Sequence, residues 1–322
     1  MFYNPIVVVA GEPYSIFTEI FFKAIKKNRF KKPIILIISK KILLKQMKEL
    51  NFRFKINVIT KNKIEQKYLD NKKINIINVD FDFKKTFSKI TDKSNSYISS
   101  SFKIAIEIIK KNKCAGLING PISKKNFLKE KHLGITEYLT YKTGKQNNNV
   151  AMLIFNKKLS VSPLTTHLPL KEVHKNISKK KIINHVKLIY AFYKKKIKKT
   201  PKIAITGLNP HCESNYKSSE EKRVINPAIK DLIKLGYDVD GPYPADTIFI
   251  KNLSKKYDVI IGMYHDQVLT PIKALQGYSA INITLGLPFI RVSPDHGPNE
   301  KMLGLNKSSP LSLINSIKFL DK

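Results

Sequence analysis

Three histidines carry the clearest chemical signal in this chain. Each follows a short apolar run and sits in a polar turn: Thr165-Thr166-His167-Leu168-Pro169, Asn209-Pro210-His211, and Met263-Tyr264-His265-Asp266-Gln267. Imidazoles at the ends of three strands can converge on one divalent cation and leave an open position for substrate. His167 and His211 lie 44 residues apart and His211 and His265 lie 54 apart, far outside the spacings of local zinc motifs. Pattern alone therefore leaves open whether the rings meet or are unrelated loop residues. The other four histidines, His132, His174, His185 and His296, lack this setting; His174 and His185 lie in or beside an amphipathic stretch and read as surface or packing residues.

More polar groups follow the third histidine. Lys273 comes after Thr270-Pro271-Ile272, and Asn282 interrupts Ala280-Ile281-Asn282-Ile283-Thr284. Arg291 ends the run Leu287-Pro288-Phe289-Ile290, and Asp295-His296-Gly297 follows it at a turn. Of the 59 basic residues only four are arginine, which leaves 55 lysines. A guanidinium kept against that bias points to bidentate contact with a carboxylate or phosphate, or to a structural ion pair.

These groups need a scaffold that brings strand ends together. Apolar runs at Ile6–Val9, Ile34–Ile38, Ile74–Val79, Ala115–Asn119, Val150–Phe155, Leu159–Thr165, Ile203–Gly207, Val259–Met263, Ile281–Leu285 and Phe289–Val292 read as strands. Helical periodicity falls at Lys41–Leu50, Phe102–Lys110, Ile177–Tyr193, Val224–Leu235 and Pro310–Leu320, and Phe81–Ser100 reads as a surface connection. Alternating strands and helices predict an α/β protein with largely parallel sheets, in which ligands bind beyond the carboxyl ends of the strands. No GxGxxG or GxxxxGK[ST] motif is present. Gly11-Glu12-Pro13 is a weak anion-loop signal, and Gly120-Pro121-Ile122-Ser123-Lys124 a better one.

Composition sets the outer limits. The 322 residues include 42% hydrophobic and 26% charged residues, enough to build a core and to exclude a disordered basic tail. The net charge of +35 attracts anions in general, but an excess made almost wholly of lysine and spread along the chain reads as a solvated surface, with no specific nucleic-acid site. Cys114 and Cys212 form no CxxC pair, no apolar stretch approaches a membrane span, and no signal segment is visible, so a cytoplasmic protein is expected.

Taken together, the segments resemble the 4-hydroxythreonine-4-phosphate dehydrogenase family of pyridoxal phosphate biosynthesis, from Val7 to about Leu320. The matching pieces are Gly11-Glu12-Pro13, Asn119 to Lys124, Thr136-Glu137, Thr166 to Pro169, Gly207 to His211, Gly241-Pro242 with Pro244-Ala245-Asp246-Thr247, Tyr264 to Gln267, Asn282 to Pro288, and Arg291 to Gly297. The resemblance implies two intertwined α/β/α three-layer domains with an interdomain cleft, like isocitrate and isopropylmalate dehydrogenases, at residues 1–125 with 285–322 and at 126–284. It implies NAD and a divalent cation (zinc, magnesium or cobalt) as cofactors, and a homodimer with shared active sites. Metal ligands would be His167, His211 and His265; substrate contacts would be Thr136, Lys273, Asn282 and Arg291. Lys273, Asp246 and Asp266 are candidates for proton transfer or for orienting the metal ligands, and Asp295 and His296 for contacts to the cofactor. The substrate would be a small phosphorylated hydroxy acid, oxidised and then decarboxylated. The chain departs from the family at Ile135, where an imidazole is usual, and in two glycine-poor loops, Tyr14 to Thr18 and Cys212 to Tyr216. The departures leave two other readings, a dehydrogenase for phosphorylated threonate or erythronate and a non-catalytic metal- or nucleic-acid-binding protein.

Overall fold

The computed structural model describes residues 3–128, 134–144, 150–212, 218–277, 280–294 and 296–322. Among these described residues twelve strands run β1 Ile6–Val9, β2 Ile34–Ile38, β3 Ile56–Val58, β4 Ile74–Asn78, β5 Gly116–Asn119, β6 Ala151–Phe155, β7 Ser160–Thr165, β8 Ile203–Thr206, β9 Val239–Tyr243, β10 Val259–Tyr264, β11 Ile281–Leu285 and β12 Arg291–Pro294. The α-helices are α1 Phe17–Lys27, α2 Lys40–Glu49, α3 Asn95–Lys111, α4 Ile135–Lys142, α5 Leu170–Val173, α6 Lys179–Phe192, α7 Asn226–Lys234, α8 Lys251–Ser254, α9 His265–Gln276 and α10 Leu311–Leu320. The chain forms two compact units, residues 1–139 with 288–322 and residues 140–287. The sequence placed the first division at 125/126; it falls instead inside α4, so Ile135 and Thr136 belong to the first unit.

The first unit holds the strands β3-β4-β2-β1-β5-β12, every pairing parallel. β1 is Ile-Val-Val-Val and buried at every position, as a strand covered on both faces must be. Helix α1 packs against α2 and α10, whereas α3 lies against β1, β2 and β5. The sequence reading missed α1, although Phe17, Ile20, Phe21 and Ala24 form an apolar stripe at helical spacing and are all buried. It also ran the surface connection through Asn95–Ser100, which are the first residues of α3.

The loop after β1 shows where the bulky replacements went. Tyr14, Ile16 and Phe17 turn inward and are buried, and Tyr14 packs edge-on against Phe81 with centroids 5.7 Å apart. The space that glycines would leave is filled with core.

The second unit holds β11-β6-β7-β10-β8-β9, antiparallel at β11–β6 and β6–β7 and parallel from β7 to β9. A core of Met152, Ile154, Val161, Ile260, Val268, Leu269 and Ile272 joins the sheet to α9. Helix α6 packs against β6, β7 and β11, with Ile182, Val186 and Ile189 buried. Ser178 caps α6 by accepting the Lys181 N–H at 3.3 Å. On α6, His185 is buried and its Nε2 lies 2.6 Å from Ser162 Oγ; burial pushes its pKa down to about 3, so this ring is a neutral packing residue. No described helix is long and apolar enough to cross a membrane.

Candidate functional site

In the second unit β7, β10 and β8 are consecutive parallel neighbours, so their carboxyl ends open at one edge, about 4.8 Å apart from strand to strand. His167 lies two residues past the end of β7, His265 directly follows β10 and opens α9, and His211 comes five residues after β8. The rings of His167 and His265 are adjacent, with centroids 5.9 Å apart and planes inclined by 35°. His265 Nδ1–H donates to Asp266 Oδ1 at 2.6 Å, which fixes the ring and leaves Nε2 as its ligating atom.

The backbone at these turns is unusual. His167 has φ 50°, His211 φ 58° and Cys212 φ 57°, all in the left-handed region that costs a non-glycine residue about 1–2 kcal/mol. Side-chain bonds hold the strained turns. Thr165 Oγ1 donates to the Met263 carbonyl at 2.7 Å, joining the ends of β7 and β10. Gln267 Oε1 accepts from Thr206 Oγ1 at 2.9 Å and from the Met263 N–H at 2.7 Å, and its Nε2 donates to the Gly207 carbonyl at 2.8 Å. One amide therefore joins the ends of β10 and β8. Glu221 Oε1 accepts the N–H groups of Leu208 and Asn209 at 2.7 and 2.8 Å, and Asn209 Nδ2 donates to Oε2 at 2.9 Å. Burial raises the Glu221 pKa, but these bonds outweigh it and hold the carboxyl below its ordinary value.

The sequence singled out the histidines but assigned no role to Gln267 or Glu221. Gln267 directly follows His265-Asp266, and that adjacency was the available signal. Glu221 has none, because its partners are recognisable only once the loop is folded.

Among the described residues, no three His, Cys, Asp or Glu side chains stand within reach of one cation. The structure pairs His167 with His265 and brings His211 to the same edge without closing a three-imidazole set. The donor chemistry still fits a borderline divalent ion: imidazole nitrogens, with one ring already oriented through its second nitrogen.

The remaining residues of the second unit are spread along α9 and the strands beside it. Asn282 on β11 donates Nδ2 to Met152 Sδ at 3.4 Å, while its Oδ1 is buried with no hydrogen-bond partner among the described residues. That oxygen is an acceptor suited to a substrate hydroxyl or amino group. Lys273 is exposed on α9, Asp266 is exposed beside His265, and Asp246 is exposed after β9. The structure gives Asp246 no hydrogen bond to any of the three rings.

The first unit has its own loop cluster. Gly11 has φ 79°, and a Cβ there would stand 2.3 Å from the Pro121 carbonyl oxygen; a Cβ on Gly120 would stand 2.1 Å from the Ala10 carbonyl oxygen. These glycines let the loops after β1 and β5 close backbone to backbone, with Glu12 N–H donating to Pro121 O at 2.8 Å. Glu12, read from sequence only as part of a weak anion loop, is buried and accepts from Ser94 Oγ at 2.8 Å and from the Tyr14 N–H at 3.3 Å. Burial pushes its pKa up to about 7, opposed by those two bonds and reinforced by Glu300.

Arg291 is 1% exposed, and its Nε donates to Asn119 Oδ1 at 2.7 Å. Burial pushes its pKa down to about 10, and the Glu137 carboxylate works against that fall. The guanidinium is thus a buried charge that bonds Asn119 and lies in the field of the Glu137 carboxylate. Ile135 and Thr136 open α4 and are half-buried. His296 Nδ1–H donates to the Gly297 carbonyl at 3.0 Å, and Asp295 lies outside the described residues.

Two α/β units with polar loops at the carboxyl ends of parallel strands define a ligand-binding α/β protein. A family model described as pyridoxal phosphate biosynthetic protein PdxA matches residues 29–320. The 4-hydroxythreonine-4-phosphate dehydrogenase of Sulfurihydrogenibium sp. is 38% identical over 97% of this chain and 96% of its own. The crystal structure of the 4-hydroxythreonine-4-phosphate dehydrogenase from Klebsiella pneumoniae superposes with a TM-score of 0.84 at 26% identity, covering 98% of each chain. A terephthalate 1,2-cis-dihydrodiol dehydrogenase from Burkholderia xenovorans shares the fold alone, at a TM-score of 0.66 and 17% identity. The chain belongs to the PdxA family.

Proposed function

We propose that this chain is the NAD-dependent dehydrogenase that oxidises 4-phosphohydroxy-L-threonine to 2-amino-3-oxo-4-phosphooxybutanoate, which decarboxylates to 3-amino-2-oxopropyl phosphate on the way to pyridoxal 5'-phosphate. The observation that carries the reading is the near full-length match to a relative of that name, at 38% identity.

With both groups bound, NAD takes the hydride and a divalent cation supplies the Lewis acidity that eases loss of the hydroxyl proton and of carbon dioxide. The residues of the chain bind and orient. His167, His211 and His265 are the proposed metal ligands, with Asp266 holding the His265 ring and Gln267 holding the His265 and His211 turns in register. The unpartnered Oδ1 of Asn282 accepts from the substrate. Lys273 is the candidate acceptor for the hydroxyl proton, a role that its amine fills only without a proton of its own. Thr136 donates a hydroxyl, and buried Arg291 contributes a fixed positive field. Asp246 is assigned to orienting ligands, and Asp295 and His296 to the cofactor. The working form is a homodimer in the cytoplasm, without a nucleic-acid or membrane partner.

Ile135 favours a second reading, a related dehydrogenase for phosphorylated threonate or erythronate, because an apolar side chain stands where the family has an imidazole. NADH formation on 4-phosphohydroxythreonine and on both relatives, with and without a chelator, separates the two. Ile135→His raises activity on the first substrate if that substrate is used. A folded dimer with bound metal and no turnover on any of them refutes the enzymatic reading.

A further inference from the structure

The amino-terminal edge of the first unit's sheet carries a cavity of about 490 Å³, remote along the strands from the Gly11 and Gly120 loops. Its volume lies within the roughly 300–1,000 Å³ common for small-ligand sites. Part of the wall is apolar and aromatic, with Phe21 from α1, Phe30, and Phe54 just before β3, and the rest is polar. Phe54 stacks on Phe22 with centroids 5.8 Å apart and planes at 24°, so this wall is held in place from behind. Four of the lining side chains, Arg29, Lys32, Lys72 and Lys73, are cationic and none is acidic.

Those cations are not equivalent. Lys32 Nζ donates to the Leu320 carbonyl at 2.6 Å, and Lys73 pairs with Asp70 at 3.2 Å. Lys72 shares the field of the same carboxylate. Arg29 alone has no partner among the described residues, and it is one of only four arginines in the chain. A guanidinium fork over an aromatic pocket suits an anion attached to a flat apolar body.

We infer that this cavity is a second ligand site, for a small aromatic monophosphate, in which Phe30 and Phe54 flank the ring and Arg29 with Lys72 takes the phosphate. Pyridine-ring monophosphates are the members of that class nearest to a protein of pyridoxal phosphate biosynthesis. The inference concerns binding and does not require the proposed reaction.

Calorimetric titration of the full chain with pyridoxine 5'-phosphate tests it, since that probe has no aldehyde to form imines with the lysines. One saturable site is expected, unchanged in His265→Ala and weakened about ten-fold or more in Arg29→Ala, the loss expected for a charge-assisted bond. Pyridoxine without the phosphate and inorganic phosphate should each bind far more weakly. No saturation at millimolar probe overturns the inference. So does binding that survives Arg29→Ala but is lost in His265→Ala, which would place the ligand at the strand ends of the second unit. Equal binding of inorganic phosphate would reduce the cavity to a general anion patch and also refute the assignment.

Discussion

Replacing Glu12 by glutamine should change how stability depends on pH, and the size of the change follows from its burial. In the folded chain this carboxyl keeps its proton up to about 7, against an ordinary value of 4.5. Between those two values the folded state binds more protons than the unfolded state, so raising the pH favours unfolding. At about 1.4 kcal/mol per pH unit, the term amounts to about 3 kcal/mol, fully present below pH 4.5 and lost as pH rises through 7. His185 contributes with the opposite sign. Its ring stays neutral down to about 3 when folded and protonates near 6.5 when unfolded, so its contribution is lost as the medium becomes acidic. The raw stability curve of the parent chain therefore mixes both trends, and the informative quantity is the difference between Glu12→Gln and the parent. Urea unfolding of both at pH 5, 6, 7 and 8 should show the variant gaining on the parent by about 2.5 kcal/mol over the range. Any fixed cost of the amide at this position shifts the difference without changing its slope. A flat difference would show that Glu12 ionises normally in the folded chain and would refute the reasoning.

Gln267→Met should lower stability by about 2–4 kcal/mol, because it strands Thr206 Oγ1, the Met263 N–H and the Gly207 carbonyl together; the urea midpoint should fall with an unchanged slope. Arg291→Met removes the buried positive charge whose field the Glu137 carboxylate shares and should cost about 3–5 kcal/mol, much of it restored by adding Glu137→Gln. Thermal unfolding of the single and double variants checks this, and equal losses in both would show that the two groups are not coupled. Asp266→Ala should weaken zinc about ten-fold in competition with a chromophoric chelator, by releasing the His265 ring.

The alternation of strands and helices and the three histidine turns were legible because continuous apolar runs end at polar signatures. The elements that escaped notice had weaker patterns. Strand β3 is three residues, Ile56–Val58, set among lysines and arginine. Strand β9 contains Gly241-Pro242, which reads as a turn. Helix α9 opens on His265-Asp266-Gln267 and contains Pro271, which hides the apolar period of Val268, Leu269 and Ile272. The rarity of Arg291 drew attention to it, but composition could not reveal that it is buried, bonds Asn119 and lies in the field of Glu137. Glu12 was out of reach for a different reason: its hydrogen-bond partner Ser94 is 82 residues away, and only the fold brings a hydroxyl to that carboxyl.

The contact between the loops after β1 and β5 has a mechanical consequence. Where two turns meet through side chains, one can shift while rotamers absorb the movement. Here the Ala10 and Pro121 carbonyls face bare α-carbons, with the Glu12 N–H bonded across the seam, so no rotamer lies between the two loops to yield. A displacement imposed on one loop is handed undamped to the other, and this rim of the first unit behaves as a single stiff lip.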